Sequence, residues 1–411
     1  MKPIVAFLLL PFPLFGQGPL TPPGPPGPTQ KSLQEIWDRI GSLQETVASQ
    51  QQQIALLQQQ NSVLLENAGV PLSWKITPVT ANAIELASRA LAFSPAGFPA
   101  IAYYDSVTDD LAYAAFNGSS WQITPVDVAG AVGGSASLAF SPTGNPSIAY
   151  YDSTNADLKY ATYVGGAWNA APVDSTGSVG NSCSLAFTAS GQPAIAYHDE
   201  SESDLKYAVF NGTSWQIQQV SVVTAEDCHP SLAFNSSGKA GIAFQDGDQS
   251  AIKLALLEQS GWFVETVESR PVDGDQEYAN PSLAFGPSGK AAIAYDHYGS
   301  TGILRVAIDE GGWILDDAAT AGDWGFRPSL AFSPLGRPSV SYAYDPFGDA
   351  GPLGFAQKSG DDWIHSEVGA ADNVAEASSL AFGPGGQAAI AYQDRASGGL
   401  KFAVRVPFGS R

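Results

Sequence analysis

Positive charge is scarce in this sequence. Lys and Arg account for 19 of its 411 residues, against 40 Asp and Glu, and the formal net charge is −21 at pH 7. A surface of this sign repels phosphate backbones and anionic lipid headgroups. Nucleic acid is therefore not an expected partner, and a cationic, neutral or sugar-like ligand is favoured, although the same acidity also serves solubility.

Long apolar runs are missing as well. After residue 15 no apolar stretch reaches the roughly 18 residues that a membrane helix needs, so we expect no membrane insertion. The apolar run from Ile4 to Phe15 follows Lys2 and is typical of the core of a signal peptide, here residues 1–17. The sequence thus predicts a secreted, periplasmic or cell-surface protein.

The residues that carry most enzyme chemistry are few. There are four His, His198, His229, His297 and His365, with no paired spacing typical of a metal site. A G-x-S-x-G elbow and a phosphate-binding loop are both absent. We therefore predict a protein that is not an enzyme and needs no cofactor. A glycoside-active enzyme that uses loop carboxylates is the alternative.

Two short segments precede the main body of the chain. Residues 18–30 are rich in Pro and Gly and predict a stiff polyproline linker. Residues 31–68 predict a coiled coil, because heptad positions recur at Leu33, Ile36, Ile40, Leu43, Val47, Gln50, Ile54, Leu57, Asn61 and Leu64. β-Branched residues and one Asn at the first heptad position favour a parallel homodimer over a homotrimer, formed through residues 33–64. The other interpretation of the Gln-rich part is a solvated tether.

Residues 69–411 contain an internal repeat of four short β-type segments, resembling SLAF, PxIAYYD, LKYA and a Trp-led strand. The Leu of the first segment recurs at intervals of 47, 47, 47, 51, 47 and 50 residues, at Leu91, Leu138, Leu185, Leu232, Leu283, Leu330 and Leu380. A period of this length with four strands is typical of a propeller blade. The sequence therefore predicts an all-β fold, a seven-bladed β-propeller with SLAF as the innermost strand of each blade.

A Trp precedes each of these Leu residues, at Trp74, Trp121, Trp168, Trp215, Trp262, Trp313 and Trp363. Trp74 opens the array without the other three strands, and the last unit has three strands and no Trp. We expect the N-terminal Trp strand to complete the last blade, which closes the ring and removes its free edge. The Trp residues are expected in the core.

These SLAF-like, IAYYD-like and LKYA-like strings resemble those of exported bacterial repeat proteins with a seven-bladed β-propeller, over Trp74 to about Val404. The chain is also distantly similar to seven-bladed lectins, without a sugar-binding signature that matches residue by residue. The resemblance implies the fold more than the function.

Two sets of polar residues stand out within the repeat. Cys183 and Cys228 lie two and four residues before equivalent Leu residues of adjacent blades, and these even offsets in an exported protein favour a disulfide, with two thiols as the alternative. An Asp follows the second strand at Asp105, Asp152, Asp199, Asp246 and Asp394. We interpret it as a turn cap rather than as a metal or ligand site.

Loop lengths predict a ligand site. They vary mostly around blades five and six, in the crossovers between blades and the loops between second and third strands. Off-pattern aromatic residues lie there, with acidic residues and a His around them; the predicted ligand-binding set is Trp324, Phe326, Phe347, Tyr298, His297, Asp345, Asp349, Asp273, Asp275 and Glu277. Aromatic faces edged by carboxylates suit a sugar, and the same carboxylates could instead hold Ca²⁺. The competing interpretation is that the aromatic residues plug an irregular blade.

Together these features predict a non-enzymatic binding or display module that recognises carbohydrate or another cell-surface polymer multivalently. A purely structural envelope or spacer protein is the remaining alternative.

Overall fold

A computed structural model provides the fold of the chain. It describes residues 33–43, 46, 49, 50, 53, 57, 60, 72–82, 84–223, 228–247, 251–270, 277–298, 302–320, 327–343, 353–369, 374–394 and 397–407. The predicted signal peptide and the predicted linker lie outside these residues. The chain divides into two units, Met1–Gln53 and Ile54–Arg411.

The first unit contains an α-helix at residues 33–43, and residues 46, 49, 50 and 53 are helical too. Leu33, Ile36, Ile40 and Leu43 are spaced three and four apart, so they share one face of this helix. Their side chains are 39–77% exposed. Within the described part of the chain, no helix is both long and apolar enough to cross a membrane.

The β-strands all lie in the second unit. Blade 1 comprises β2 (Ile84–Glu85), β3 (Leu91–Phe93), β4 (Pro99–Asp105), β5 (Asp110–Phe116) and β6 (Trp121–Asp127). Blade 2 comprises β7 (Val132–Phe140), β8 (Pro146–Asp152), β9 (Asp157–Val164) and β10 (Ala167–Asp174). Blade 3 comprises β11 (Val179–Phe187), β12 (Pro193–Asp199), β13 (Asp204–Phe210) and β14 (Trp215–Val222).

The later blades follow the same order. Blade 4 comprises β15 (Ser231–Phe234), β16 (Ala240–Asp246), β17 (Ala251–Glu258) and β18 (Gly261–Ser269). Blade 5 comprises β19 (Glu277–Phe285), β20 (Ala291–Tyr298), β21 (Ile303–Asp309) and β22 (Trp313–Thr320). Blade 6 comprises β23 (Ser329–Phe332), β24 (Pro338–Ala343), β25 (Leu353–Ser359) and β26 (Asp362–Val368). Blade 7 comprises β27 (Val374–Phe382), β28 (Ala388–Asp394), β29 (Leu400–Pro407) and β1 (Leu72–Thr80).

Each blade is an antiparallel sheet whose first strand is innermost. In blade 7 the outer strand is β1, which pairs with β29 in a register that places Trp74 opposite Arg405. Each inner strand contacts the inner strand of the next blade, and β27 contacts β3. The prediction of an all-β seven-bladed propeller is confirmed.

Packing between blades explains the apolar positions of the repeat. One hydrophobic cluster fills each blade interface, and the second strands supply its most deeply buried residues, such as Ile148 and Tyr150 between blades 1 and 2. In five of the seven blades the Trp of the outer strand packs edge-to-face on an aromatic ring of the preceding blade, for example Trp168 on Tyr113 with ring centroids 5.1 Å apart. Aromatic pairs in this geometry stabilise a core beyond the area they bury.

The Ser of the SLAF segment joins neighbouring blades. The Ser184 side chain accepts a hydrogen bond from the Leu232 backbone N–H of the next blade at 3.0 Å. The same bond is made to Ser137, Ser231, Ser282, Ser329 and Ser379, the last of which accepts from Leu91 and so links blade 7 to blade 1. Blade 1 has Ala90 instead, and the Leu138 N–H bonds the Arg89 carbonyl oxygen. We call these bonds the serine ring.

Candidate functional site

The predicted site between blades 5 and 6 falls largely outside the described residues. Trp324, Phe326, Phe347, Asp345, Asp349, Asp273 and Asp275 all do so. The remaining three belong to adjoining strands of blade 5, where Glu277 pairs with Tyr298 and His297 pairs with Tyr278 across β19 and β20. The predicted set therefore stays a prediction.

His297 lies in a buried polar group of blade 5. Its ring stacks on that of Tyr278, with centroids 4.9 Å apart and planes 13° apart, and its two ring nitrogens form no hydrogen bond with a described residue. Burial and then the Arg305 charge lower the pKa of His297 below its ordinary value. Arg305 itself bonds Glu268 at 2.6 Å and Asp317 at 2.8 Å. His297 is thus held neutral at neutral pH beside a satisfied ion-pair network.

The repeated Asp residues have structural roles. In blade 2, Asp152 accepts hydrogen bonds from the Thr154 and Asn155 backbone N–H groups, which caps the turn after its strand. Four of the set also pair with the Lys of the third strand: Asp152–Lys159, Asp199–Lys206, Asp246–Lys253 and Asp394–Lys401. Among the described residues no group of three or more potential ligands is arranged to hold a metal ion. The interpretation as turn caps agrees with these contacts.

The predicted disulfide between Cys183 and Cys228 is wrong in this structure, where both residues carry thiols. The Cys183 thiol donates to the Ser135 carbonyl oxygen of blade 2 at 3.4 Å. Cys228, in contrast, packs in the cluster between blades 3 and 4. The even offsets correctly turn both side chains toward the preceding blade. Because the two residues belong to successive blades, however, they face different interfaces on opposite sides of blade 3.

A cavity of about 230 Å³ lies where the inner strands surround the central channel of the propeller. Every blade contributes to its lining the residue three positions before the inner-strand Leu. These seven residues, which we call the channel ring, are Ser88, Ser135, Ser182, His229, Asn280, Arg327 and Ala377. The ring thus combines small hydroxyl side chains from blades 1 to 3 with larger polar side chains from blades 4 to 6.

Strand pairing is disturbed at the channel ring in every blade. The register shifts across this position in β7, β11, β19 and β27, whereas β15 and β23 begin just after it and β2 and β3 are separated by it. Four ring residues have left-handed backbones, namely Ser135, His229, Asn280 and Arg327, with φ between 36° and 53°. Bulges and left-handed non-Gly residues concentrate at functional sites, because they re-aim side chains at an energetic cost. The propeller thus contains strained backbone around its channel.

Two buried side chains hold the ring residues of blades 5 and 6. The Gln245 side-chain oxygen accepts from the Asn280 backbone N–H at 3.3 Å. The Asp296 carboxylate accepts from the Asn280 side chain at 2.8 Å and from the Arg327 backbone N–H at 3.3 Å. Both residues occupy the same place in their second strands, directly before the position of the repeated Asp. They fix the left-handed backbones from behind the cavity.

Arg89 also lines the cavity, from the segment between β2 and β3. Its guanidinium donates to the Pro230 carbonyl oxygen at 2.9 Å and to the Pro281 carbonyl oxygen at 3.4 Å. Pro230 belongs to blade 4 and Pro281 to blade 5. The six other blades have Ala136, Cys183, Pro230, Pro281, Pro328 and Ser378 at the equivalent position. Arg89 therefore departs from the repeat pattern, and its side chain is held in the channel.

Sequence reasoning missed this site. The comparison of loop lengths drew attention to the loops around blades 5 and 6, the predicted site that we call the rim site. The channel ring, by contrast, differs between blades in residue type and not in spacing. The usable signal was the Arg at a position where every other repeat has a small or cyclic side chain. Without the register, nothing indicated that this position faces the channel.

No family model matches the sequence, and no curated protein matches it. Solved structures do match in fold. An ulvan lyase, a polysaccharide lyase bound to a GlcA(1-4)Rha3S saccharide, has a TM-score of 0.60 and 13% identity over 80% of this chain and 95% of its own. Hydrazine synthase of Kuenenia stuttgartiensis has a TM-score of 0.54 and 10% identity over 81% of this chain and 99% of its own.

A fungal lectin from Aleuria aurantia, described as a six-bladed β-propeller that recognises fucose, has a TM-score of 0.44 and 15% identity over 66% of this chain and 91% of its own. At these identities the likeness shows the propeller fold alone. The neighbours include both lectins and a lyase, and they assign no activity to this chain.

Proposed function

We propose that this protein is a secreted, non-enzymatic module that binds carbohydrate or another cell-surface polymer at the channel cavity. The observation that carries the proposal is the channel ring. Seven blades share their core positions, yet at this one position they present Ser, His, Asn, Arg and Ala to a common space. A scaffold alone has no need for such variety or for left-handed backbones at four of the seven positions.

The lining suits a polyhydroxylated ligand. Hydroxyl, amide and guanidinium groups converge on it, and these groups donate to and accept from sugar hydroxyls with directional hydrogen bonds. Its volume of about 230 Å³ lies below the roughly 300–1,000 Å³ of pockets that enclose drug-sized molecules. The cavity is therefore sized for one sugar residue or the end of a chain rather than for a long oligosaccharide.

A glycan array on the full chain tests this function. We expect saturable binding by the wild type and a loss of binding in Asn280→Gly, which removes a ring side chain while accepting the left-handed φ of 53°. Trp324→Ala is the matched variant for the predicted rim site, and we expect it to keep binding. The opposite result would place the ligand at the rim, and no saturable binding to any glycan would reject the proposal. Turnover of a glycan would replace binding by enzymatic activity.

We further propose that the N-terminal helix makes the protein a parallel homodimer or homotrimer. The face formed by Leu33, Ile36, Ile40 and Leu43 is apolar and exposed in the single chain, which is what a coiled-coil partner covers. Oligomers would display several cavities and raise avidity through effective concentration. Light scattering should give an oligomer for the full chain and a monomer for the Ile40→Asp, Leu43→Asp variant. A monomeric wild type would contradict it.

A further inference from the structure

Arg89 crosses the central channel. It belongs to blade 1, and its two acceptors, the Pro230 and Pro281 carbonyls, belong to blades 4 and 5. In a ring of seven blades these are the two that lie opposite blade 1. The segment that carries Arg89 also reaches inward, since the Ser88 carbonyl accepts from the Ser329 hydroxyl of blade 6 at 3.0 Å. The guanidinium is therefore held within the channel.

In the part of the chain that the structure describes, no acidic group pairs with this guanidinium. Among the described residues Arg89 forms no ion pair, and two of its five N–H donors bond to the protein, both to carbonyl oxygens. Burial lowers the pKa of Arg89 from 12.5 to about 10, with the nearby Cys183 opposing the shift. The group remains cationic at neutral pH.

The cavity lining, unlike the chain as a whole, has more basic than acidic residues. The cavity lining contains Arg89 and Arg327 and one acidic residue, Glu85, whose side chain is exposed. The buried Asp296 carboxylate lies behind the ring and accepts from Asn280 and Arg327. A chain with 40 acidic and 19 basic residues thus places a half-buried cation in its central channel.

The guanidinium is also immobilised. Its two acceptors are the carbonyls of Pro residues, whose backbones have little freedom, and the Arg89 backbone carbonyl is bonded to the Leu138 N–H of the serine ring. A planar, preorganised guanidinium matches the two oxygens of a carboxylate or sulfate, and little entropy remains to be lost on binding.

We propose that the channel cavity binds an anionic group, the carboxylate or sulfate of an acidic sugar, on the Arg89 guanidinium. This inference rests on the proposed function for the sugar portion of the ligand, which the channel ring would contact. The anion-binding step depends on Arg89 alone. Neutral sugars should bind weakly or not at all.

The first experiment uses the wild-type chain. Crystals soaked in sodium selenate should show an anomalous peak within hydrogen-bonding distance of the Arg89 guanidinium. Calorimetry at constant ionic strength should detect sulfate and glucuronate but not glucose, and glucuronate binding without sulfate binding would identify the carboxylate as the recognised group. A wild type that shows no selenate peak at Arg89 and binds neither anion overturns the proposal.

The second experiment changes the charge. Arg89→Met should weaken binding of the better anion by about 100-fold, because hydrogen bonds to charged groups are lost. Arg89→Lys keeps the charge but loses the planar fork, and we expect roughly a 10-fold loss. The matched control is Arg337→Met, since Arg337 lines a separate cavity of about 530 Å³ with Lys290 and Lys358. Equal losses in Arg89→Lys and Arg337→Met would contradict a specific role for Arg89, and the lysine variant serves if Arg89→Met does not fold.

The two proposals fail in different ways. If neutral glycans bind the array and Arg89→Lys binds them unchanged, carbohydrate binding stands and the anion site is wrong. If sulfate binds at Arg89 in the crystal but no glycan binds, the anion site stands and the proposed function is wrong.

Discussion

Blades 1 to 3 and blades 4 to 6 are built on the same repeat but differ where they face the channel. The first three present Ser88, Ser135 and Ser182, whereas the next three present His229, Asn280 and Arg327. The serine ring, by contrast, makes equivalent bonds from blades 2 to 6, and only blade 1, with Ala90, uses a backbone carbonyl oxygen instead. Positions that join blades are therefore kept, and the position that faces the cavity varies. The difference separates what the fold requires from what we assign to the ligand.

Individual blades also differ five residues before the inner-strand Leu. Blades 2 and 3 have Gly133 and Gly180 there, and blade 5 has Tyr278, the residue that stacks on His297. Gly180 has φ +87°, and a Cβ at this position would lie 2.7 Å from the Leu158 Cβ and 2.9 Å from its backbone Cα. The position therefore accepts a side chain in blades 1 and 5, where it is Leu86 and Tyr278, but not in blade 3.

The largest expected effect is that of Gly180→Ala. Left-handed strain costs about 1–3 kcal/mol and overpacking about 1–3 kcal/mol more, so we expect the free energy of unfolding to fall by roughly 3 kcal/mol or more. Denaturant titration measures this change. The control is Gly212→Ala, whose φ of +99° is also left-handed but whose Cβ would contact nothing within 4 Å. Equal losses in the two variants would mean that the close approach to Leu158 contributes nothing.

A smaller effect tests whether the serine ring is uniform. Ser184→Ala removes the acceptor of the buried Leu232 N–H in blade 4, and Ser282→Ala does the same to Leu330 in blade 6. An unsatisfied buried donor costs about 1–3 kcal/mol, so both variants should lose a similar amount of unfolding free energy. The exposed Ser190→Ala should change little. A loss in only one of the two variants would show that the blades are not joined equally.

The same distinction, between positions that join blades and the position that faces the cavity, explains which features the sequence predicted. The spacing of the inner-strand Leu residues predicted seven blades, because a repeat must keep its core positions in register. The bond made by the SLAF Ser was not predictable, since its acceptor role is set by the neighbouring blade. The predicted disulfide was wrong for a related reason. The even offsets of Cys183 and Cys228 from the inner-strand Leu define the face of the blade on which each side chain lies, but they do not define the blade interface that this side chain enters. The predicted rim site stays untested.

The channel ring was harder to predict than the core. Its members share a spacing but no chemistry, so sequence patterns present them as ordinary variation. Register shifts and left-handed backbones move them toward the cavity, and these are properties of the folded ring. Arg89 was visible as an exception in the repeat, yet its acceptors in blades 4 and 5 are 141 and 192 residues away.

The smallest expected effect concerns alkaline pH. In blades 1 to 3 the third strand presents Tyr113, Tyr160 and Tyr207 to the Trp of the next blade, and blades 4 and 5 have Leu254 and Val306 at the equivalent position. Burial raises the pKa of Tyr207 from 10 to about 12. The unfolded chain therefore releases this proton first as the pH rises, and the stabilisation that is complete below pH 10 is lost between pH 10 and about 12.

Tyr207→Phe isolates this contribution, because it keeps the ring that packs on Trp262 with centroids 5.2 Å apart and removes the ionisable hydroxyl. From pH 9 to pH 11 the wild type should lose about 1 kcal/mol more unfolding free energy than the variant, given about 1.4 kcal/mol for each pKa unit. Denaturant titrations at the two pH values measure the difference. At pH 7 the variant and the wild type should respond to ligand alike, since Tyr207 does not line the channel cavity. An identical alkaline loss in both proteins would show that the Tyr207 hydroxyl titrates as freely in the folded protein as in the unfolded chain.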